Sequence, residues 1–128
     1  MNEVRRTVGT DAAPEAIGPY SQAVAAQGLL FCSGQIPLDP ESGEVVGDTA
    51  AEQATRCLRN LAAVCEAAGT SLERAVRLTI YTTELDRFTE INEAYAEFFG
   101  DDPPARAAVG VAALPKGARV EIDAIVSL

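Results

Sequence analysis

Few residues in this chain are suited to chemistry, and none of them, taken alone, names a reaction. Arg106 follows the stiff turn Pro103-Pro104 at the start of an expected strand, and the donor fork of a guanidinium matches a carboxylate through two parallel hydrogen bonds. By position alone the commoner reading is an ordinary surface or ion-paired arginine. Glu121 lies between Val120 and Ile122 in the last expected strand, where a carboxylate either faces solvent or lines a cleft, and position alone favours solvent. Asp123 shares its parity, so alternation does not separate the two. Asn92 stands four residues after Phe88 and three before Tyr95, which carries its amide on the apolar side of a helix. A buried amide needs partners, from a neighbouring loop or from a ligand. Tyr20, Ser33 and Gly34 adjoin a strand start, a strand end and the loop that follows. The phenol and hydroxyl there either contact a ligand or serve the local fold.

What the chain lacks narrows the chemistry further. It contains no His, which removes the commonest general base, the commonest metal ligand and every Ser-His or Cys-His pair. Zinc chemistry and triad hydrolysis are set aside, and no metal site is expected. Cys32, Cys57 and Cys65 form an odd set without paired spacing, which points to free thiols in a reducing compartment. Cys57 and Cys65 fall two helical turns apart, where buried thiols act as small hydrophobes. The net charge is −9 with a single lysine, Lys116, and that balance opposes binding to nucleic acid or to anionic lipid. No apolar run reaches the roughly 20 residues of a membrane span, and the opening Met-Asn-Glu-Val-Arg-Arg leads into polar sequence. The expectation is a cytoplasmic protein without a membrane partner.

The elements that must position these residues are legible from periodicity. At 128 residues, 48% of them hydrophobic, the chain has material for one core, so residues 1–128 are expected to form a single domain. Strands are expected over Val4 to Val8, Tyr20 to Ala26 and Leu29 to Ser33, the last two joined at Gln27-Gly28, with a long loop from Gly34 to Gly47. Thr49 and Glu52 have capping-box spacing and open a helix whose apolar face runs through Ala54, Leu58, Leu61, Cys65 and Ala68. Gly69 caps its end. Val76, Leu78 and Ile80 alternate with Arg77, Thr79 and Tyr81 as a strand. Asp86 is expected to cap a second helix, with Phe88, Ile91, Tyr95, Phe98 and Phe99 inward and Gly100 closing it. Strands then follow over Arg106 to Val111 and Val120 to Val126, around a turn at Pro115-Lys116-Gly117. This order makes an α+β domain with two helices on one face of a mostly antiparallel sheet.

GPYSQA at 18 to 23, SGQIPLDPESGE at 33 to 44, AAG at 67 to 69, PAR at 104 to 106 and LPKGARVEI at 114 to 122 stand together in one order. With Asn92, Tyr95 and Phe98-Phe99, they make the chain resemble the Rid (YjgF) family of reactive-intermediate deaminases, from about Ile17 to Ile125. The resemblance implies a chorismate-mutase-like α+β fold and a homotrimer with active sites in the clefts between subunits. It implies hydrolysis of enamines and imines (2-aminoacrylate with 2-iminopropanoate, 2-aminocrotonate with 2-iminobutanoate) to 2-keto acids and ammonia, with no cofactor. It maps the family's active-site arginine onto Arg106 and its water-positioning glutamate onto Glu121. The groups near the substrate map onto Tyr20, Ser33, Gly34 and Asn92. Ala108 stands where many members carry Cys, and Ala113 where many carry Arg. A non-catalytic trimer that binds keto acids or amino acids is the alternative, and an RNA-cleaving role is opposed by the charge.

Overall fold

A computed structural model describes residues 4–128; the first three residues of the polar opening lie outside it. The chain runs β1 (Arg6–Val8), β2 (Ala23–Ala26), β3 (Leu29–Gln35), α1 (Ala50–Ala67), β4 (Ala75–Thr82), α2 (Phe88–Ala96), β5 (Ala105–Gly110) and β6 (Val120–Ser127). This is the α+β order expected. The strands form one sheet in the order β1-β2-β3-β6-β4-β5. Among the described residues only β4 and β5 pair in parallel, because α2 carries the chain back between them, the crossover that a parallel pair requires. α1 does the same between β3 and β4, and β6 inserts between those two, antiparallel to both.

Both helices cover one face of the sheet. Leu58, Leu61 and Val64 of α1 meet Leu30, Leu78, Ile80, Ile122 and Val126 there with no exposed surface, and Ile91 and Tyr95 of α2 join them. Each fully buried leucine or isoleucine contributes about 1.5 to 3 kcal/mol over leaving it in water. Cys32, Cys57 and Cys65 are free thiols in this core. Burial pushes the Cys57 thiol up, and a hydrogen bond to Cys65 together with burial does so for Cys32.

The ends of α1 follow the sequence signals. Thr49 Oγ1 accepts from the Glu52 amide at 3.1 Å, while the Glu52 carboxylate reaches the Asp48 amide at 2.8 Å, one residue before the usual partner. At the far end Gly69 takes φ +85°, and the amides of Gly69 and Thr70 bond Glu66 and Cys65 carbonyls at 3.0 Å, the doubly bonded arrangement that leaves carbonyls satisfied.

Several boundaries differ from expectation. β1 begins at Arg6 rather than Val4, and β2 at Ala23, so Tyr20 belongs to the preceding loop. Val76 does not share the buried face of Leu78 and Ile80, because a bulge between Ala75 and Arg77 turns it outward. Asp86 does not cap α2. It lies inside a 3-10 turn, Leu85–Arg87, that enters the helix directly, and Arg87 at the cap position makes no side-chain capping bond. Nor does Gly100 close α2, which ends at Ala96 with Glu97 as its cap residue in ordinary helical geometry.

Three buried amides that periodicity does not mark fix the loops. Gln22 accepts from the Thr10 amide at 2.8 Å and donates to the Pro14 carbonyl at 2.8 Å, tying the loop before β2 to its strand. Asn60 donates to Leu38 O at 3.1 Å, and Gln53 accepts from the Arg119 amide at 2.8 Å. Such bonds satisfy carbonyls and amides that a buried loop would otherwise leave unpaired.

Candidate active site

Tyr20, Ser33, Gly34 and Glu121 converge on one cleft of about 400 Å³, walled also by Ile17, Ile36 and Pro115. It opens on the sheet face away from the helices, where strand alternation puts Glu121 and Asp123. A bulge between Cys32 and Gln35 sets two residues, Ser33 and Gly34, opposite Asp123 and re-aims the end of β3 toward that cleft. The Glu121 carboxylate lies directly on Gly34. A methyl group at position 34 would collide with Glu121 Oε2 and sit 3.0 Å from its carboxyl carbon, so glycine here answers a close approach rather than a special φ.

The polar groups around Glu121 have defined hydrogen-bond states. Ser33 Oγ donates to Ser21 O at 2.6 Å, which leaves its oxygen free only to accept. Tyr20 folds back over its own turn, its hydroxyl accepting from the Ile17 amide at 3.2 Å, so its proton remains available to a ligand. Desolvation, and then the charge of Asp123, raise the pKa of Glu121 above the ordinary 4.5. Tyr81 donates to Asp123 Oδ2 at 3.3 Å.

The sign of this shift has two consequences. The folded chain holds the Glu121 proton more tightly than the unfolded one. The group therefore favours the fold below the ordinary glutamate range, and that contribution is lost as pH rises through the folded value. A reaction that needs the carboxylate also loses rate on acidification at a higher pH than an ordinary glutamate would dictate. Asp123→Asn removes the second cause and keeps the first, so the Glu121 midpoint should fall part of the way back, read from its carboxyl carbon resonance during a titration. An unmoved midpoint would leave burial as the whole cause.

Arg106, Asn92 and Ala108 are elsewhere. Arg106 pairs with Leu78, and Ala108 with Ile80, across the parallel ladder, so both share the helix-side face of the edge strand β5. There the guanidinium crosses α2. Its Nη1 donates to Asn92 Oδ1 at 2.7 Å, and its central carbon lies 5.1 Å from the Phe88 ring centroid and 4.9 Å from that of Tyr95. The partner of the Asn92 amide is thus Arg106 itself and not a loop. Among the described residues, no other hydrogen bond or ion pair engages this guanidinium. It borders a cleft of about 490 Å³ between the end of α2 and Pro103-Pro104.

The six polar or catalytic candidates and Ala108 therefore divide into two groups on opposite faces of the sheet. Phe88 and Tyr95, read from sequence only as core residues, are contacts of Arg106; their spacing about Asn92 was the available signal. Among the described residues, no group of three or more His, Cys, Asp or Glu side chains is arranged to hold a metal, and no helix is long and apolar enough to cross a membrane.

Comparison with known proteins extends over nearly the whole chain. A family model described as Endoribonuclease L-PSP matches residues 10–128. A RutC family protein, y4sK, of Sinorhizobium fredii is 51% identical over 94% of this chain and 96% of its own. The 2-iminobutanoate/2-iminopropanoate deaminase of Homo sapiens is 44% identical over 95% of this chain and 89% of its own. The crystal structure of RidA from an Antarctic Psychrobacter superposes with a TM-score of 0.92 at 43% identity, covering 96% of this chain and 99% of that one.

Proposed function

This chain belongs to the Rid (YjgF) family, and from that premise we propose that it hydrolyses 2-iminopropanoate and 2-iminobutanoate, with their enamine tautomers, to 2-keto acids and ammonia. The observation that carries the proposal is the pair of chemistries in the two clefts. One holds a guanidinium whose remaining donors have no partner among the described residues, and the other a carboxyl whose affinity for a proton is raised. Arg106 binds the substrate carboxylate through two charge-assisted bonds, which leaves the imine carbon exposed to one side. Glu121 orients a water there and accepts its proton as the oxygen adds to the carbon. Glu121 passes that proton to the nitrogen, and the resulting carbinolamine expels ammonia as its hydroxyl proton moves to the leaving nitrogen and the C=O bond forms, so one water is consumed for each C–N bond broken. Tyr20 donates to, and Ser33 accepts from, the reacting groups. No cofactor or metal enters any step.

The 44% identity to the human protein of that name supports this substrate class. The test is ammonia release from freshly generated 2-iminopropanoate, with and without the protein. No acceleration at any concentration would leave keto-acid binding as the function instead. RNA cleavage, which the family model's description names, is disfavoured by the charge of −9 and the single lysine.

The proposal includes a homotrimer in which Arg106 of one subunit faces Glu121 of the next. Two features support it: the two groups lie on opposite faces of one sheet, and the helix-free face leaves Phe31 and Val109 43% and 41% exposed. Subunit mixing separates this from a site within one chain. Arg106→Lys and Glu121→Gln proteins, unfolded together in equal amounts and refolded, should recover about a quarter of wild-type activity, because a random cyclic assembly brings two native halves together at one interface in four. Activity no greater than the sum of the two parents would count against an intersubunit site.

A further inference from the structure

We propose that Phe88 and Tyr95 are positioning residues for Arg106, their rings holding its guanidinium in the one orientation from which it meets a carboxylate. This rests on the reading of Arg106 as carboxylate receptor and assigns the means by which an exposed side chain acquires a fixed direction. An arginine at a sheet edge samples many rotamers in water, and a ligand that captures it must freeze them, which weakens binding.

The sequence of α2 supplies the restraint. Positions 88, 92 and 95 recur at the spacing of one helical face, so a single stripe presents a ring, an amide and a ring. Two turns, about 10.5 Å along the axis, separate the outer pair. The guanidinium carbon stands 5.1 Å from the Phe88 centroid and 4.9 Å from that of Tyr95, both within the range of cation–π attraction. Asn92 Oδ1 takes Nη1 at 2.7 Å from the middle of the stripe. One amide bond alone leaves the group free to pivot about it; contact with two rings opposes that pivot.

The ring of Tyr95 does this work, not its hydroxyl. That hydroxyl is buried and has no hydrogen-bond partner among the described residues, and Tyr95 as a whole is 5% exposed. Burial raises its pKa while the charge of Arg106 opposes the rise. Tyr95→Phe therefore keeps the restraint and removes only an unsatisfied polar atom. Phe88 is half-buried at the start of the helix, so Phe88→Leu keeps apolar bulk and removes only the aromatic face.

The experiment compares wild type with Phe88→Leu, Phe88→Tyr, Tyr95→Leu and Tyr95→Phe. Pyruvate binding is measured by calorimetry, the Arg106 Nε–H resonance by NMR, and KM and kcat on the imine. Both leucine variants should bind pyruvate about 2- to 30-fold more weakly, the span of a cation–π contact converted at 1.4 kcal/mol per tenfold. Their KM should rise more than kcat falls, and the Nε–H resonance should shift or broaden. Phe88→Tyr and Tyr95→Phe should match wild type in all three. A folded Phe88→Leu with wild-type pyruvate affinity and an unchanged resonance overturns the proposal, and it decides the matter even if Tyr95→Leu does not fold. If wild type neither hydrolyses the imine nor binds pyruvate, the functional reading fails. The resonance alone then decides whether the rings hold Arg106.

Discussion

Glu121→Gln should lower kcat for imine hydrolysis by about 10² to 10⁴-fold, the usual contribution of a general base, while leaving keto-acid affinity near that of wild type. The substitution keeps the volume that fits over Gly34 but removes the atom that accepts a proton. Binding should survive because the proposed mechanism gives the carboxylate to Arg106, which lies on the other face of the sheet and, among the described residues, makes no hydrogen bond or ion pair with Glu121 of its own chain. The acid limb of the pH profile should disappear with the group that titrates, because wild-type Glu121 protonates above the ordinary glutamate range. Rates are to be measured by ammonia release and affinity by calorimetry with 2-oxobutanoate. Wild-type turnover in the variant would remove Glu121 from the mechanism.

Arg106→Lys should weaken keto-acid binding by about 10- to 100-fold, the loss of one charge-assisted hydrogen bond of roughly 1.5 to 3 kcal/mol. The positive charge survives. What goes is the planar fork: an ammonium supplies one point of contact where a guanidinium supplies two, and it has no second nitrogen to give to Asn92 while holding the ligand. Turnover at saturating substrate should fall as well, since a singly held carboxylate leaves the imine carbon free to swing away from the attacking water. Equal affinity for 2-oxobutanoate in the two proteins would show that the carboxylate binds elsewhere. The effect is expected to be smaller than that of Glu121→Gln on kcat and larger on binding, and this crossing of effects is the signature of divided roles.

Much of this was legible in the chain itself. The order of strands and helices, the free buried cysteines, both signals at the ends of α1 and the inward faces of both helices follow from periodicity and capping residues, because these depend on neighbours within a few positions. The spacing of Phe88, Asn92 and Tyr95 was equally plain, and predicted that the amide would share a face with the rings. Family motifs carried the rest of the candidate residues.

What sequence alone left open was set by pairing between distant strands. Glu121 and Asp123 have the same parity and nearly the same chemistry; only the bulge at Ser33-Gly34, which brings a glycine under Glu121, distinguishes them. The outward turn of Val76 has the same kind of cause. Arg106 could be read as a surface cation until the parallel ladder of β4 and β5 set it across α2 and gave the Asn92 amide its partner. The separation of Arg106 from Glu121 is likewise a property of the sheet. Residues on two strands face the same or opposite sides according to register, and register comes from contacts between segments that are remote along the chain.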